Sequence, residues 1–151
     1  QMNTVLDGFS AIQKRKLLVQ GELGKQEIIK RHKERVDNGE ASVIFGLASF
    51  AEGVDLPGDY LTEVIVTKLP FGVPDDPVDA TLAEWIEANG GNAFYEWTIP
   101  VASMRLTQAA GRLLRTEKDK GRVVILDRRV ITRRYGRQLI DALPPYRRDF
   151  A

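Results

Sequence analysis

Three apolar, β-rich stretches, Ser42-Val-Ile-Phe-Gly-Leu47, Glu63-Val-Ile-Val-Thr67 and Arg122-Val-Val-Ile-Leu-Asp127, run without alternation of apolar and polar residues. A strand with one wet face alternates, so continuous runs predict strands covered on both faces, as in a parallel sheet packed between helices. Leu17-Leu-Val19 is a shorter candidate that stops at Gln20-Gly21. Helical spacing fills the intervals. Residues 25–37 put Ile28, Ile29, His32 and Val36 on one side and stop at Asn38-Gly39. A second helix is predicted over 78–88, ending at Asn89-Gly90-Gly91. A third starts after Pro100 and carries Met104, Leu106, Ala110, Leu113 and Leu114 on one side. A fourth runs over 132–143 and stops at Pro144-Pro145. Strands alternating with helices imply an α/β fold with a mostly parallel sheet and right-handed crossovers.

With 151 residues, 43% of them hydrophobic, the chain suits one domain of ordinary size. No apolar run approaches the roughly 18 residues of a membrane span, and Gln1-Met2-Asn3-Thr4 does not begin a signal sequence, so a cytoplasmic protein with no membrane partner is expected. Residues 2–9 look helical and no strand precedes them, which suggests a piece of something larger. The chain has no cysteine and one histidine, His32. Disulfides, thiolate nucleophiles, zinc fingers and histidine metal sites drop out, and no metal ligand set is expected here.

The net charge of +1 hides an asymmetry. Residues 1–104 hold 9 Lys+Arg against 16 Asp+Glu, whereas 105–151 hold 13 against 5. The basic end raises the expectation of a phosphate-bearing partner without choosing between nucleotide and nucleic acid. Residues 72–97 form an acidic insertion with Pro74, Pro77 and the aromatic cluster Phe94-Tyr95-Trp97, read either as a solvated loop and helix or as a flap or partner surface.

A phosphate loop is missing. Gly24-Lys25 resembles the end of a Walker A loop, but its first glycine would fall at Val19, and Gln26 stands where the metal-binding Ser/Thr belongs. His32-Lys33-Glu34 resembles the His-x-Glu of zinc deaminases, which also need cysteines. Two other segments carry more chemistry. Gly46-Leu-Ala-Ser-Phe-Ala-Glu-Gly-Val-Asp-Leu-Pro-Gly58 follows a buried strand, at the sheet edge where ligands bind, and its glycines permit close backbone approach. Ser49 and Gly53 are candidate donors to phosphate and Asp55 a candidate acceptor from a ribose hydroxyl; a tight capped loop is the plain alternative. In Gln108-Ala-Ala-Gly-Arg-Leu-Leu-Arg115, spacings of four and seven align Gln108, Arg112 and Arg115 on one helical face, where guanidinium forks suit phosphate oxygens. Gly111 is costly within a helix, which suggests that something passes close to it. A solvated cationic face is the alternative.

These residues match a family. Gly46 to Asp55 resembles helicase motif V, and Gln108-x-x-Gly111-Arg112-x-x-Arg115 resembles motif VI of superfamily 2 helicases. Ser49-Phe50-Ala-Glu52-Gly53-Val-Asp55-Leu-Pro-Gly58, Lys68-Leu-Pro-Phe71, Asp76-Pro77, Asp127-Arg-Arg129, Tyr135-Gly136 and Leu143-Pro144 are similar to the XPD-like branch and its DinG-type members. Glu52 departs from the arginine of DEAD-box relatives, in keeping with that branch.

The resemblance covers nearly the whole chain and implies residues 1–151 to be the second, C-terminal RecA-like motor domain of a 5′-to-3′ ATP-dependent DNA helicase, truncated just past motif IV so that its opening strand is missing. It implies ATP and Mg²⁺ shared with an N-terminal RecA-like domain of the same protein, single-stranded DNA as partner, and a 4Fe–4S cluster in the parent protein only. A role in DNA repair or replication and, in a bacterium, a nucleoid-associated location follow from it. By resemblance, Arg112 and Arg115 are arginine fingers and Gln108 senses the phosphate and attacking water. Gly53 and Asp55 meet the nucleotide, Ser49 and Phe50 face DNA, and Arg129 touches DNA or braces the fold. The rival reading is a non-catalytic nucleic-acid-binding module of RecA-like fold.

Overall fold

The computed structural model describes residues 8–47, 50, 53–72, 76–114 and 118–150, arranged in two units, Gln1–Tyr60 and Leu61–Ala151. The helix expected over 2–9 lies almost wholly outside the described residues.

In the first unit, α1 (Ala11–Lys16) begins at a capping box in which the Ser10 hydroxyl accepts from the Gln13 N–H and the Gln13 carboxamide accepts from the Ser10 N–H. Its last turn is Lys14-Arg15-Lys16, cations placed where the helix dipole favours them. The chain passes directly into β1 (Leu17–Val19), then α2 (Lys25–Asp37) and β2 (Val43–Phe45). β1 and β2 pair in parallel, Leu17 opposite Val43 and Val19 opposite Phe45. Helix α2 stops where the sequence predicts, because Asn38 caps it and Gly39 takes the left-handed conformation at φ +74°. Leu18, Val19, Ile28, Phe50, Val54 and Leu56 are buried in this unit, along with His32. A 3₁₀ turn, Gly58–Tyr60, closes it.

The second unit runs β3 (Glu63–Val66), α3 (Pro77–Ala88), a wide π turn (Phe94–Thr98), α4 (Ile99–Gly111), β4 (Arg122–Ile125), α5 (Arg129–Thr132) and α6 (Arg134–Asp141). β3 and β4 are parallel, Glu63 opposite Arg122, a pair also joined by an ion pair at 2.7 Å. Leu69, Ile99, Ala102, Leu106, Val130 and Leu139 form the core, with Phe71 and Tyr135 packed against it. Asp76 caps α3 through the Val78 and Asp79 N–H groups, and Pro77 sits in its first turn.

Four sequence expectations need correction. The described strands pair in parallel, β1 with β2 and β3 with β4, as the alternation of strands and helices predicts, but Val43 and Ile65 are exposed rather than covered. The third helix starts at Ile99, with Pro100 inside its first turn and the π turn before it. Proline has no N–H to donate and its ring crowds the carbonyl four residues back, so the backbone widens there and the Ile99 N–H reaches the Phe94 carbonyl. That helix buries Ile99, Ala102, Leu106 and Ala110, leaves Met104 exposed and ends before Leu113 and Leu114. The fourth helix, predicted over 132–143, is α6 (Arg134–Asp141), set off from α5 by a break at Arg133, whose backbone is extended (φ −111°, ψ 144°). The break lets Gly136 sit directly on the Val130 carbonyl, where any Cβ would collide with backbone.

The acidic insertion uses its carboxylates internally. Asp79 accepts from the Trp97 indole N–H at 2.9 Å, Glu87 from the Ala93 N–H at 2.9 Å and Glu96 from the Asn92 N–H at 2.7 Å. These bonds favour the structural reading of this segment.

Leu106→Ala, which empties a fully buried site, is expected to cost about 2–5 kcal/mol, and Gly136→Ala at least about 2 kcal/mol through overpacking against a carbonyl that cannot move alone. Urea unfolding followed by tryptophan emission measures both; a cost below about 0.5 kcal/mol for Gly136→Ala would show that the elbow is not close-packed.

Candidate functional site

The motif V-like segment emerges from β2 and is held by β1. The Gln20 N–H donates to the Phe45 carbonyl at 2.9 Å, and the Gln20 side-chain oxygen accepts from the Leu47 N–H at 2.8 Å. Gly46 must be small because a Cβ there would stand 3.0 Å from Phe50. Beyond it the chain alternates: Val54 and Leu56 are buried while Gly53 and Asp55 are exposed. Gly53 at φ +68° and Gly58 at φ +59° occupy the left-handed region, which glycine enters without steric cost. The two apolar anchors therefore present the Gly53 backbone and the Asp55 carboxylate outward.

Phe50 departs from expectation. The residue is 6% exposed, with the Lys25 ammonium 5.5 Å from the ring centroid. An aromatic ring so covered anchors the loop and has no open face on which a base could stack. Ser49 lies outside the described residues.

Sequence reasoning gave His32 no role in this segment. The buried His32 ring donates from Nε2 to the Tyr60 carbonyl at 2.7 Å and accepts at Nδ1 from the Ser42 hydroxyl at 2.9 Å, the tautomer that a carbonyl partner requires. It thus ties the residue before β2 to the 3₁₀ turn that begins at Gly58. Its spacing with Ile28 on the inner face of α2 is the signal that marks it as inward-facing.

Of the motif VI-like residues, Gln108 sits on α4 in the second unit and Arg112 directly follows that helix. Gln108 is exposed, and Arg112 follows the last residue of α4 with helical backbone angles (φ −67°, ψ −26°), so the four-residue spacing keeps both on one side, away from buried Leu106 and Ala110. A Cβ on Gly111 would meet open space. Arg115 lies outside the described residues. Gly53, Asp55 and Phe50 belong to the first unit, and Gln108, Arg112 and Arg129 to the second.

Arg129 has a clear structural partner. Its guanidinium forks onto Asp127, Nε to Oδ1 at 2.9 Å and Nη2 to Oδ2 at 2.6 Å, and lies 5.2 Å from the Phe71 ring centroid. The Asp127 carboxylate also accepts from the backbone N–H groups of Leu69 (3.0 Å) and Arg129 (3.1 Å). Its side chain is 8% exposed. The arginine, with help from the two N–H donors, holds this carboxyl far below the usual carboxylate range. The geometry favours the bracing role of Arg129.

Among the described residues there is no group of three or more His, Cys, Asp or Glu able to hold a metal ion, and no helix long and apolar enough to cross a membrane. The chain's lack of cysteine leaves an iron–sulfur cluster without thiolate ligands here.

Asp127→Ala strands a guanidinium and two N–H donors and is expected to cost about 2–3 kcal/mol at neutral pH. A carboxyl depressed in the folded state contributes its stability above its unfolded pKa of about 4 and loses it as pH falls toward the folded value. The gap between wild type and variant in urea melts should therefore be constant above about pH 5 and narrow below about pH 4. A gap independent of pH down to strong acid would refute the ion-pair account.

The chain matches the family model described as helicase C-terminal domain over residues 1–146. It is 51% identical over 151 residues to a protein of Photobacterium profundum named ATP-dependent DNA helicase DinG, covering 98% of this chain and 22% of that protein. Proteins of the same name from Escherichia coli and Salmonella choleraesuis are 45% and 43% identical over 130 residues, covering 86% of this chain and 18% of each relative. The chain thus spans about a fifth of the length of these relatives. Its parallel strand pairs with intervening helices suit the α/β architecture of RecA-like domains. On this match, the chain belongs to the helicase C-terminal domain family.

Proposed function

We propose that residues 1–151 serve as the second motor domain of a DinG-type, 5′-to-3′ ATP-dependent DNA helicase, with a role in DNA repair or replication. The observation that carries the reading is the outward side of α4. Exposed Gln108 and, four residues on, Arg112 share it, beside a glycine that no described residue requires to be small.

ATP, when bound with Mg²⁺ by the other motor domain, supplies the phosphoryl group whose transfer drives the motor. Arg112 and Arg115 then donate guanidinium N–H bonds to its phosphate oxygens, where charge shifts in the transition state. Gln108 orients the attacking water. Gly53 offers backbone and Asp55 a carboxylate toward the nucleotide's sugar and phosphates, and the family resemblance assigns Ser49 to single-stranded DNA. Gly111 leaves room for the partner surface to approach the helix. The loop that cradles the β- and γ-phosphates and the acid that holds magnesium are absent from this sequence, so this chain contributes half a site.

In the helicase that carries this domain, Arg115→Ala should lower ATP turnover by about 10³-fold or more and leave nucleotide affinity within a few fold, because a finger acts mainly on the transition state. Arg115→Lys should rescue little, since an ammonium lacks the planar fork. Normal turnover with Arg115→Ala would sink the finger assignment and favour a binding module.

Gly111→Ala separates function from packing. Alanine is the better helix former, so the variant chain should be as stable as wild type or more stable by up to about 1 kcal/mol. Helicase turnover should nevertheless fall at least about tenfold, by loss of close approach. Unchanged turnover would show that the glycine serves no partner.

A further inference from the structure

The basic excess after residue 104 is not exhausted by motif VI, which accounts for two of its 13 lysines and arginines, Arg112 and Arg115. Another part of it gathers on the elbow between α5 and α6. Arg133, at the break, and Arg134 are exposed and have no ion-pair partner among the described residues. Arg137, one turn along α6, is 90% exposed and only 3.5 Å from Asp141, whose carboxylate is held more closely by Arg148 at 2.8 Å. One acid, Asp141, lines the elbow together with four arginines, Arg133, Arg134, Arg137 and Arg148.

The elbow is rigid on its inner side. Gly136 packs on the Val130 carbonyl, Leu139 is fully buried, and the Tyr135 ring meets those of Phe71 and Phe94 edge-on at 5.7 and 5.3 Å. Arg148 also donates to the Ile140 carbonyl at 3.1 Å, which fastens the C-terminal segment along α6. An open groove results, lined by Ile131, Arg133, Arg134, Arg137, Arg148 and Phe150. Ile131 and Phe150 are 51% and 65% exposed. Cations mounted on a fixed backbone beside exposed apolar side chains match a polymer that alternates anionic and apolar groups, as a sugar–phosphate backbone does. Crowding like charges on one elbow is unfavourable in the chain alone; a polyanion relieves it by charge neutralisation, and the release of the polyanion's own condensed counterions adds to binding.

We propose that the α5–α6 elbow, through Arg133, Arg134 and Arg137, is a second DNA-phosphate-binding surface, separate from motifs V and VI. The choice of DNA among polyanions rests on the helicase reading; the existence of the surface does not.

The test titrates the 151-residue chain with labelled single-stranded and duplex DNA of about 20 nucleotides or base pairs, between roughly 50 and 200 mM salt. Replacing Arg133, Arg134 and Arg137 together by alanine should weaken binding about tenfold or more and reduce the slope of log K against log salt by about 2 for single strands or nearly 3 for duplex. The more affected arm identifies which form the elbow holds. The triple lysine variant should retain most of the slope. Arg112→Ala, in the motif VI face, is compared alongside. The proposal is overturned if the triple alanine variant, with an unchanged melting temperature, binds like wild type, if Arg112→Ala alone accounts for the loss, if the wild-type chain shows no salt-dependent binding, or if polyglutamate of equal charge displaces DNA as well as DNA does. Because no ATP turnover is read, failure here leaves the motor assignment standing, and failure of the arginine fingers leaves the elbow standing.

Discussion

A single carboxylate organises the second unit. Asp127 stands just past β4, and its two oxygens collect the Leu69 N–H from the segment beyond β3, the Arg129 N–H at the start of α5 and the Arg129 guanidinium. Three pieces of chain are thereby fixed to one point. An ionised carboxylate with so little exposure would be costly alone; here every donor it needs is supplied by groups that would themselves be unsatisfied without it. Arg129, oriented by the fork, then lies against Phe71, which extends the lock into the Phe71–Phe94–Tyr135 cluster.

What depends on that lock is the placement of charge. Once α5 starts at a fixed point and Gly136 closes onto Val130, the arginines of the elbow can only face outward. The first unit uses a different device to the same end. Phe50, Val54 and Leu56 sink into the interior, and Gln20 and His32 bind the two ends of the loop, so that Gly53 and Asp55 are held at the surface by burial of their neighbours. In both units the residues with chemistry to offer are exposed because apolar or small residues beside them are not.

Much of this was legible from residue order. Helix α2 and helix α3 end where Asn38-Gly39 and Asn89-Gly90 stand, since caps and left-handed glycines act locally. The placing of Gln108 and Arg112 on one side of a helix was legible because helical spacing alone aligns them. The misreadings came from contacts distant in sequence or from one residue's effect on a whole turn. The break at Arg133 goes with the packing of Gly136 on the Val130 carbonyl, and the π turn with Pro100. Asp127-Arg-Arg129 read equally as a DNA contact or a brace, because no local pattern states that a guanidinium two residues away will fold back onto its own neighbour. Continuous apolar runs correctly indicated parallel pairing but overstated burial at Val43 and Ile65.

The central claim is that this chain holds one side of a divided ATP site. It is tested most directly by joining the chain covalently to the first motor domain of a DinG-type helicase and measuring phosphate release stimulated by single-stranded DNA. The account predicts negligible release from either half alone and a DNA-stimulated rate in the joined protein that is at least about 10³-fold higher and disappears with Arg112→Ala. Steady hydrolysis by the chain alone, or a folded joined protein whose rate ignores Arg112, would contradict it.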